Sequence, residues 1–376
     1  MRRPHLESLN QFDRWLKDEG SLDGCIIQGL DLGEWGDALL ETSVQDAVFL
    51  GCRVSKELTQ QLLANGAVLF PDLGKGRPYH PTRSTLYDLG ELMYGFDPRV
   101  PDSFEQTADS AIYRHFQSYR HNPLPPLLEA LAQRIHDHAI DDALAQLLAD
   151  PAHQRVVGVM GGHALKRGAD DFSTIAHIAW ALAKRGYFIA TGGGPGAMEA
   201  ANLGAWMSAY SEADLGQALS TLAAATNYRA HEYLLAGYRV LDAYPDGASS
   251  LAIPTWFYGH EPSNQFACHI AKYFSNSLRE DGLLAIAKHG VIYAPGSAGT
   301  VQEVFMDAAQ NHYGTFELVS PMVFVGSEEW TDRRPIMPLL SSLCRGKQYA
   351  AYIALLDEVD DVVDFIEGHP PVRYEA

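Results

Sequence analysis

The stretch VVGVMGGHALKRGADDFSTIAHIAWALAKRGYFIATGGGPGAMEAAN, residues 156 to 202, decides the fold. Residues 156–160 are an apolar run closed by Gly161 and Gly162, which reads as a buried strand ending in a turn. The next segment places Ile175, Ile178, Ala179 and Leu182 at the i, i+3, i+4, i+7 spacing of one helical face and stops at Gly186. Residues 187–191 form a second apolar run, followed by GGGPG and another helical segment. The pattern continues outward: SLAIP (250–254), a helix from about Ser263, GVIYA (290–294), a helix after Gly299, and PMVFVG (321–326). Short strands without polar alternation are buried on both faces, so strands alternating with helices predict an α/β fold. The expected architecture is a doubly wound, Rossmann-like, mostly parallel sheet with helices on both faces. Ligands bind such sheets at the carboxyl ends of the strands, where all three glycine-rich turns fall.

At 376 residues the chain exceeds what one core usually supports. Residues 151–376 read as the Rossmann-like nucleotide-binding domain. Residues 1–122 read as an N-terminal extension, a smaller α+β or β-rich region. Its short runs LDGCIIQGLDL and SVQDAVFLGCRVS are broken by glycine, and two Gly-Cys contexts are too few to define a repeat. Packing or oligomer contacts are the expected role of this extension. Residues 123–150, PLPPLLEALAQRIHDHAIDDALAQLLAD, form an amphipathic helical connector ending at Asp150-Pro151.

Composition bounds the function. Hydrophobic residues at 47% and charged residues at 20% predict a globular core. The net charge of −19 repels nucleic acid and anionic membranes, and neither is an expected partner. It still permits a small anion at a helix N-terminus. No apolar run reaches the roughly 18 residues of a membrane span. The start MRRPHLESLN lacks the apolar core of a signal peptide. Cys25, Cys52, Cys268 and Cys344 are scattered, which fits reduced thiols in a cytoplasm. His136 and His138 point to different sides of a helix, so they read as a solvated face rather than a metal site. No metal and no cofactor are expected.

The stretch VIYAPGSAGTVQEVF (291–305) carries the chemistry. A strand, a glycine loop and a helix beginning near Thr300 gather unpaired backbone amides at the positive end of a helix dipole. Phosphate is the expected guest of Gly296, Ser297, Ala298, Gly299 and Thr300. Glu303 lies one turn into that helix. A capping box would turn it back to the Thr300 amide. The alternative is a carboxylate working on a ribose hydroxyl or a water beside the anion.

In TGGGPGAMEAAN (191–202), Gly192, Gly194 and Ala197 satisfy the dinucleotide fingerprint, but no acidic residue ends a following strand as NAD binding requires. The other reading is a loop over a mononucleotide, with Gly193, Gly194 and Met198 against ribose or base and Glu199 as a helix-start carboxylate. Arg279, in NSLREDGLL, is either a solvated partner of its acidic neighbours or a guanidinium turned into the site at the end of the helix from Ser263. Residues 254–264, PTWFYGHEPSN, offer Trp256, Tyr258, His260 and Glu261 to a base pocket or to the core. A P-loop and a Gly-x-Ser-x-Gly nucleophile elbow are both absent.

Together these residues resemble the Lonely Guy (LOG) family of nucleoside-monophosphate phosphoribohydrolases, often mislabelled lysine decarboxylases. The family hallmark P-G-G-x-G-T-x-x-E stands here as Pro295-Gly296-Ser297-Ala298-Gly299-Thr300-Val301-Gln302-Glu303, with serine at its second glycine. The earlier loop looks like Gly192 to Gly196 with Met198-Glu199, and the family arginine is best matched by Arg279. The resemblance covers roughly residues 155 to 326. It implies hydrolysis of a nucleoside 5′-monophosphate such as AMP to free base and ribose 5-phosphate. It implies Glu303 and Arg279 as catalytic residues, the loop 296–300 at the phosphate, and Gly161, Gly162, Gly193, Gly194, Met198, Glu199 and His260 around ribose and base. A cytoplasmic homo-oligomer is expected, with helices such as 263–277 at the contact. A non-catalytic nucleotide-binding or regulatory protein using the same cradle is the alternative. Lysine decarboxylation would need a Schiff-base lysine, and none lies in the three loops.

Overall fold

The computed structural model describes residues 4–120 and 125–375. They form two compact units, one of residues 1–85 and 114–143, the other of residues 86–113 and 144–376. Residues 86–113, grouped with the extension in the sequence reading, thus pack into the second unit.

In the first unit, β1 (His5–Leu6), β2 (Ile26–Gln28), β3 (Val48–Leu50) and β4 (Val68–Phe70) form one sheet in that order, every neighbour parallel. Helices α1 (Leu9–Glu19), α2 (Gly36–Glu41) and α3 (Lys56–Ala64) connect them. Register pairs His5 with Ile26, Ile26 with Val48 and Val48 with Val68, so successive coils are about 21 residues apart, the length of a structural repeat. The left-handed residues Gly24, Asp46 and Gly66 recur at one place in each coil. The unit is therefore a stack of βα coils. Leu22, Cys25, Ile27, Val44, Ala47, Phe49, Leu62 and Ala67 fill its interior.

Three helices follow: α4 (Leu89–Leu92), α5 (Ala108–Arg120) and α6 (Leu127–Leu147). His136 corrects the sequence reading. It is fully buried on α6, bonded to Asp137 and edge-on to Tyr79, because its side of the helix faces inward. His138 is the exposed one of the two.

The second unit carries a seven-stranded parallel sheet. Its strands are β5 (Val156–Met160), β6 (Phe188–Thr191), β7 (Leu251–Ala252), β8 (His269–Ile270), β9 (Val291–Tyr293), β11 (Met322–Val325) and β12 (Ile353–Leu356). The order is β12-β11-β9-β5-β6-β7-β8. A small antiparallel pair joins β10 (Leu318–Val319) to β13 (Val372–Arg373). The helices are α7 (Asp170–Lys184), α8 (Ala197–Met207), α9 (Glu212–Ala223), α10 (His231–Ala243), α11 (Asn276–Ile286), α12 (Ala298–Tyr313), α13 (Met337–Cys344) and α14 (Val359–Gly368). This is the doubly wound, Rossmann-like α/β fold. Every residue of β5 and β6 is buried, as expected of strands covered on both faces. Asp170 and Asp171 favour the positive end of α7 and Lys184 its negative end. Its apolar face, Phe172, Ile175, Ile178, Ala179 and Leu182, packs into one core cluster with Val157, Val159 and Ile189.

The segment from Ser263 differs from expectation. It is extended, includes edge strand β8, and turns helical only at Asn276. Phe266, Ala267, Ile270, Ala271, Tyr273 and Phe274 are all buried, so apolar spacing that resembled a helix belongs to a strand region covered on both sides. No helix therefore spans residues 263–277. Strand order reverses between β5 and β9, where successive connections run to opposite sides of the sheet. That switch point positions the site. Among the described residues no helix is long and apolar enough to cross a membrane.

Candidate functional site

A cleft of about 640 Å³ opens over the carboxyl ends of the central strands. Its walls are the turns after β5, β6, β7 and β9 together with the start of α11. Ser297, Ala298, Gly299 and Thr300 line one side. Ser297 is the N-cap of α12 with extended backbone, φ −121° and ψ −151°, and its side chain makes no capping bond. Any residue adopts that conformation, so serine fits without strain where the hallmark has glycine. The first intrahelical bond runs from the Val301 amide to the Ser297 carbonyl at 3.0 Å. The amides of residues 298–300 therefore have no acceptor within the helix, and no acidic residue occupies this first turn. Gly296 does not line the cleft. A side chain there would collide with the Thr300 hydroxyl, so its part is to let the loop close on α12.

Glu303 does not cap the helix. Arg279 Nη1 donates to Glu303 Oε1 at 3.1 Å, and Arg279 Nε donates to the Ile253 carbonyl at 2.9 Å. Each side chain is only about a tenth exposed. Arg279 is thus not solvated, and it stands at the start of a helix rather than at the end of one running from Ser263. It sits in the first turn of α11, from which it reaches across the strand ends. Burial pushes the Glu303 carboxyl above its ordinary value, the Arg279 guanidinium opposes this, and Glu280 adds to the rise. Glu280 is itself held by Gln302 Nε2 at 2.9 Å and by the Tyr258 hydroxyl at 3.3 Å. One turn beyond Glu303, fully buried Asp307 accepts from Tyr293 Oη at 2.8 Å, and burial raises its pKa to about 7.

The loop after β6 faces this pair. Gly193 has φ +73° and donates its amide to Thr191 Oγ1 at 3.0 Å. Asn202 accepts from Thr191 and from Asn264, and Asn264 Nδ2 also reaches the Met198 carbonyl at 3.4 Å. These bonds fix the loop so that Gly192, Gly193, Gly194 and Met198 line the cleft, while Gly161 and Gly162 line it from the turn after β5. Glu199 does not line it. The Glu199 carboxylate is buried against Arg167, whose Nε donates at 2.9 Å, and against the Tyr233 hydroxyl. An acid in the first turn of α8 is drawn inward by a buried cation.

The 254–264 segment divides between core and cleft. Trp256 is fully buried, its indole nitrogen donating to Asp109 at 2.7 Å. Tyr258, His260 and Glu261 line the cleft. His260 is stacked between Phe104 at 4.7 Å and Tyr113 at 4.8 Å and pairs with Ser110 Oγ at 2.6 Å. Both ring faces are covered, so only its edge is presented. Sequence reasoning missed three further cleft residues, His163, Arg229 and Lys272. Lys272 lies outside the three loops, yet it reaches the cleft while both Asp109 oxygens hold its Nζ at 2.8 Å. A lysine inside the apolar run FACHIAKYF was the available signal, because a buried lysine requires a partner. Among the described residues no cluster of three or more His, Cys, Asp or Glu side chains is arranged to hold a metal ion.

No protein-family model matches the sequence, and no curated protein does. Solved structures do. The molybdenum cofactor binding protein of the phototrophic bacterium Rippkaea orientalis is 14% identical, with TM-score 0.37 over 57% of this chain and 97% of its own. The molybdenum cofactor carrier protein of Chlamydomonas reinhardtii is 14% identical, with TM-score 0.36 over 57% of this chain and 98% of its own. A structural-genomics target, TM1055, is 18% identical, with TM-score 0.34 over 57% of this chain and 99% of its own. At these scores the likenesses carry no functional weight.

Proposed function

We propose that the protein hydrolyses the N-glycosidic bond of a nucleoside 5′-monophosphate, releasing the free base and ribose 5-phosphate. The observation that carries this reading is the buried Arg279–Glu303 pair, 3.1 Å apart, in the same cleft as the acceptor-free amides of residues 298–300. The 5′-phosphate is taken by those amides and by the positive end of α12. Anchored there, the ribose faces Glu303, and the anchoring contributes positioning. As the bond from C1′ to the base nitrogen lengthens, positive charge grows on the sugar, and the Glu303 carboxylate stabilises it. Water supplies hydroxide to C1′ and a proton to the departing base. Arg279 holds the carboxylate ionised and aimed. This is the activity the LOG resemblance implies, and the same site chemistry supports it independently of the resemblance.

The test is to incubate the protein with a panel of nucleoside 5′-monophosphates and follow free base by chromatography. Release from monophosphates, none from the parent nucleosides, and loss of release in Glu303→Ala with AMP binding retained are expected. Binding without release from any nucleotide would replace this reading with that of a nucleotide-binding regulatory protein.

A further inference from the structure

Strands β6 and β7 are parallel neighbours, and one helix suffices to carry the chain between such a pair. This connection has three, α8, α9 and α10. The turn between α9 and α10 reaches the cleft, which Tyr228 and Arg229 line. Buried Arg167 clamps both ends of that turn, its Nη1 donating to the Ala225 carbonyl at 3.4 Å and to the Tyr233 carbonyl at 2.8 Å. Arg167 is in turn locked by Glu199, and its guanidinium lies over the Tyr233 ring. Within the turn the Arg229 amide donates to Asn227 Oδ1 at 3.1 Å, an Asx turn that fixes the backbone. The two extra helices thus present an exposed guanidinium at a set place on the cleft.

The charges around the cleft assign that guanidinium a task. Arg279 is paired with Glu303, and Lys272 with Asp109. Among the described residues no carboxylate lies within ion-pair distance of Arg229, whose guanidinium stands 5.5 Å from the centre of the Tyr228 ring. A phosphate monoester carries about −1.5 to −2 charges at pH 7, whereas a helix N-terminus offers only about +0.5. In a chain of net charge −19 the remainder calls for a local cation. The anion loop and Arg229 are linked by a short run of contacts. A Cβ at Gly162 would lie 3.2 Å from Gly296 Cα, so the turn after β5 packs against that loop. His163, the next residue, meets the Tyr228 ring edge-on at 6.3 Å. We propose that Arg229 closes on the 5′-phosphate from the α9–α10 turn, taking phosphoryl oxygens that the amides of residues 298–300 leave uncovered. It thereby makes the cleft select phosphorylated nucleosides over free ones. The guanidinium fork matches two such oxygens at once.

This inference rests on the nucleotide reading of the cleft, and calorimetric binding of AMP and adenosine tests it. Glu303→Ala serves as the background, so that no turnover intervenes. There Arg229→Ala should weaken AMP binding about tenfold, the scale of a hydrogen bond to a charged group, and leave adenosine binding within about twofold. Arg229→Lys keeps the charge without the fork, so its AMP affinity should fall between the two and guards against a folding defect. The share of AMP affinity that depends on Arg229 should shrink as salt is raised, because an exposed guanidinium is screened. A packing role would not respond to salt in this way. AMP binding that depends on Arg229, without base release by the wild type, would defeat the hydrolase reading and keep this one. Base release by the wild type with AMP affinity unchanged by Arg229→Ala overturns the inference and leaves the hydrolase reading standing. An AMP loss that is the same at low and high salt, or is matched by adenosine, overturns it as well.

Discussion

The guanidinium of Arg279 occupies the space that a side chain at Gly192 would need. A Cβ at 192 would collide with Nη2, with the Met198 sulfur close behind. The glycine after β6 is therefore what admits Arg279 to Glu303. Gly192→Ala should displace the guanidinium and lower kcat/KM for AMP by about tenfold to a hundredfold, the cost of misplacing a positioned group. The backbone at 192 is not left-handed, so the variant should keep a cooperative thermal transition. Unchanged kinetics would show that Arg279 is not confined by this contact.

Glu303 sets the pH dependence of base release. The reaction uses its ionised form, and burial raises its pKa against the pull of Arg279. Activity should thus be lost as pH falls through a value above the ordinary glutamate range of about 4.3. Arg279→Gln removes the opposing cation, so the acid limb of the kcat profile should move to still higher pH, along with a lower maximum. A limb that stays in place would mean that another group titrates.

Ser297 is a mild departure rather than a lesion. Its backbone lies in the extended region and its hydroxyl caps nothing, while the amides of 298–300 are set by the helix and not by this side chain. Ser297→Gly should therefore leave kcat within about threefold and cost only a few tenths of a kcal/mol in stability, as Ser-to-Gly exchanges at N-caps do. A large gain in kcat on substitution would show that the serine obstructs the anion.

The parts legible in the sequence were those whose cause is local. β5, β6, β9 and β11 announce themselves as apolar runs, and the α12 mouth and Glu303 are neighbours along one stretch. Arg279 meets Glu303 across 24 residues, and Asp109 meets Lys272 across 163, so neither partner is implied by its surroundings. β8 was hidden because burial from both sides gave it helix-like apolar spacing. β12 was hidden because its half-buried edge position gives a short, unpunctuated IALL. The coils of the first unit share backbone shape more than side chains: Gly24, Asp46 and Gly66 make equivalent left-handed turns with two residue types.

Asp307 should tilt stability against pH. Its folded pKa is about 7 through burial, against an unfolded value of about 3.9. Between these values the folded chain holds a proton that the unfolded chain has released, so stability falls as pH rises. The contribution is up to about 1.4 kcal/mol per pH unit. Above the folded pKa the slope from this group vanishes. Asp307→Asn keeps an acceptor for Tyr293 and should flatten denaturant-unfolding free energies measured between those limits. A slope identical to wild type would place the titration elsewhere.

Asp109 is the point on which residues 86–113 and the cleft wall meet inside the second unit. Its carboxylate takes Lys272 Nζ with both oxygens at 2.8 Å, Trp256 Nε1 at 2.7 Å and Ser263 Oγ at 3.1 Å, all buried. Asp109→Ala strands a buried ammonium and an indole N–H together, which should cost about 3–5 kcal/mol. Asp109→Leu with Lys272→Met removes the charges as a pair and should cost markedly less than Asp109→Ala, since burying an ion pair carries its own desolvation penalty. Urea denaturation of both variants with wild type measures the difference. Equal destabilisation of the two would mean that packing around residue 109, and not the uncompensated lysine, holds this wall in place.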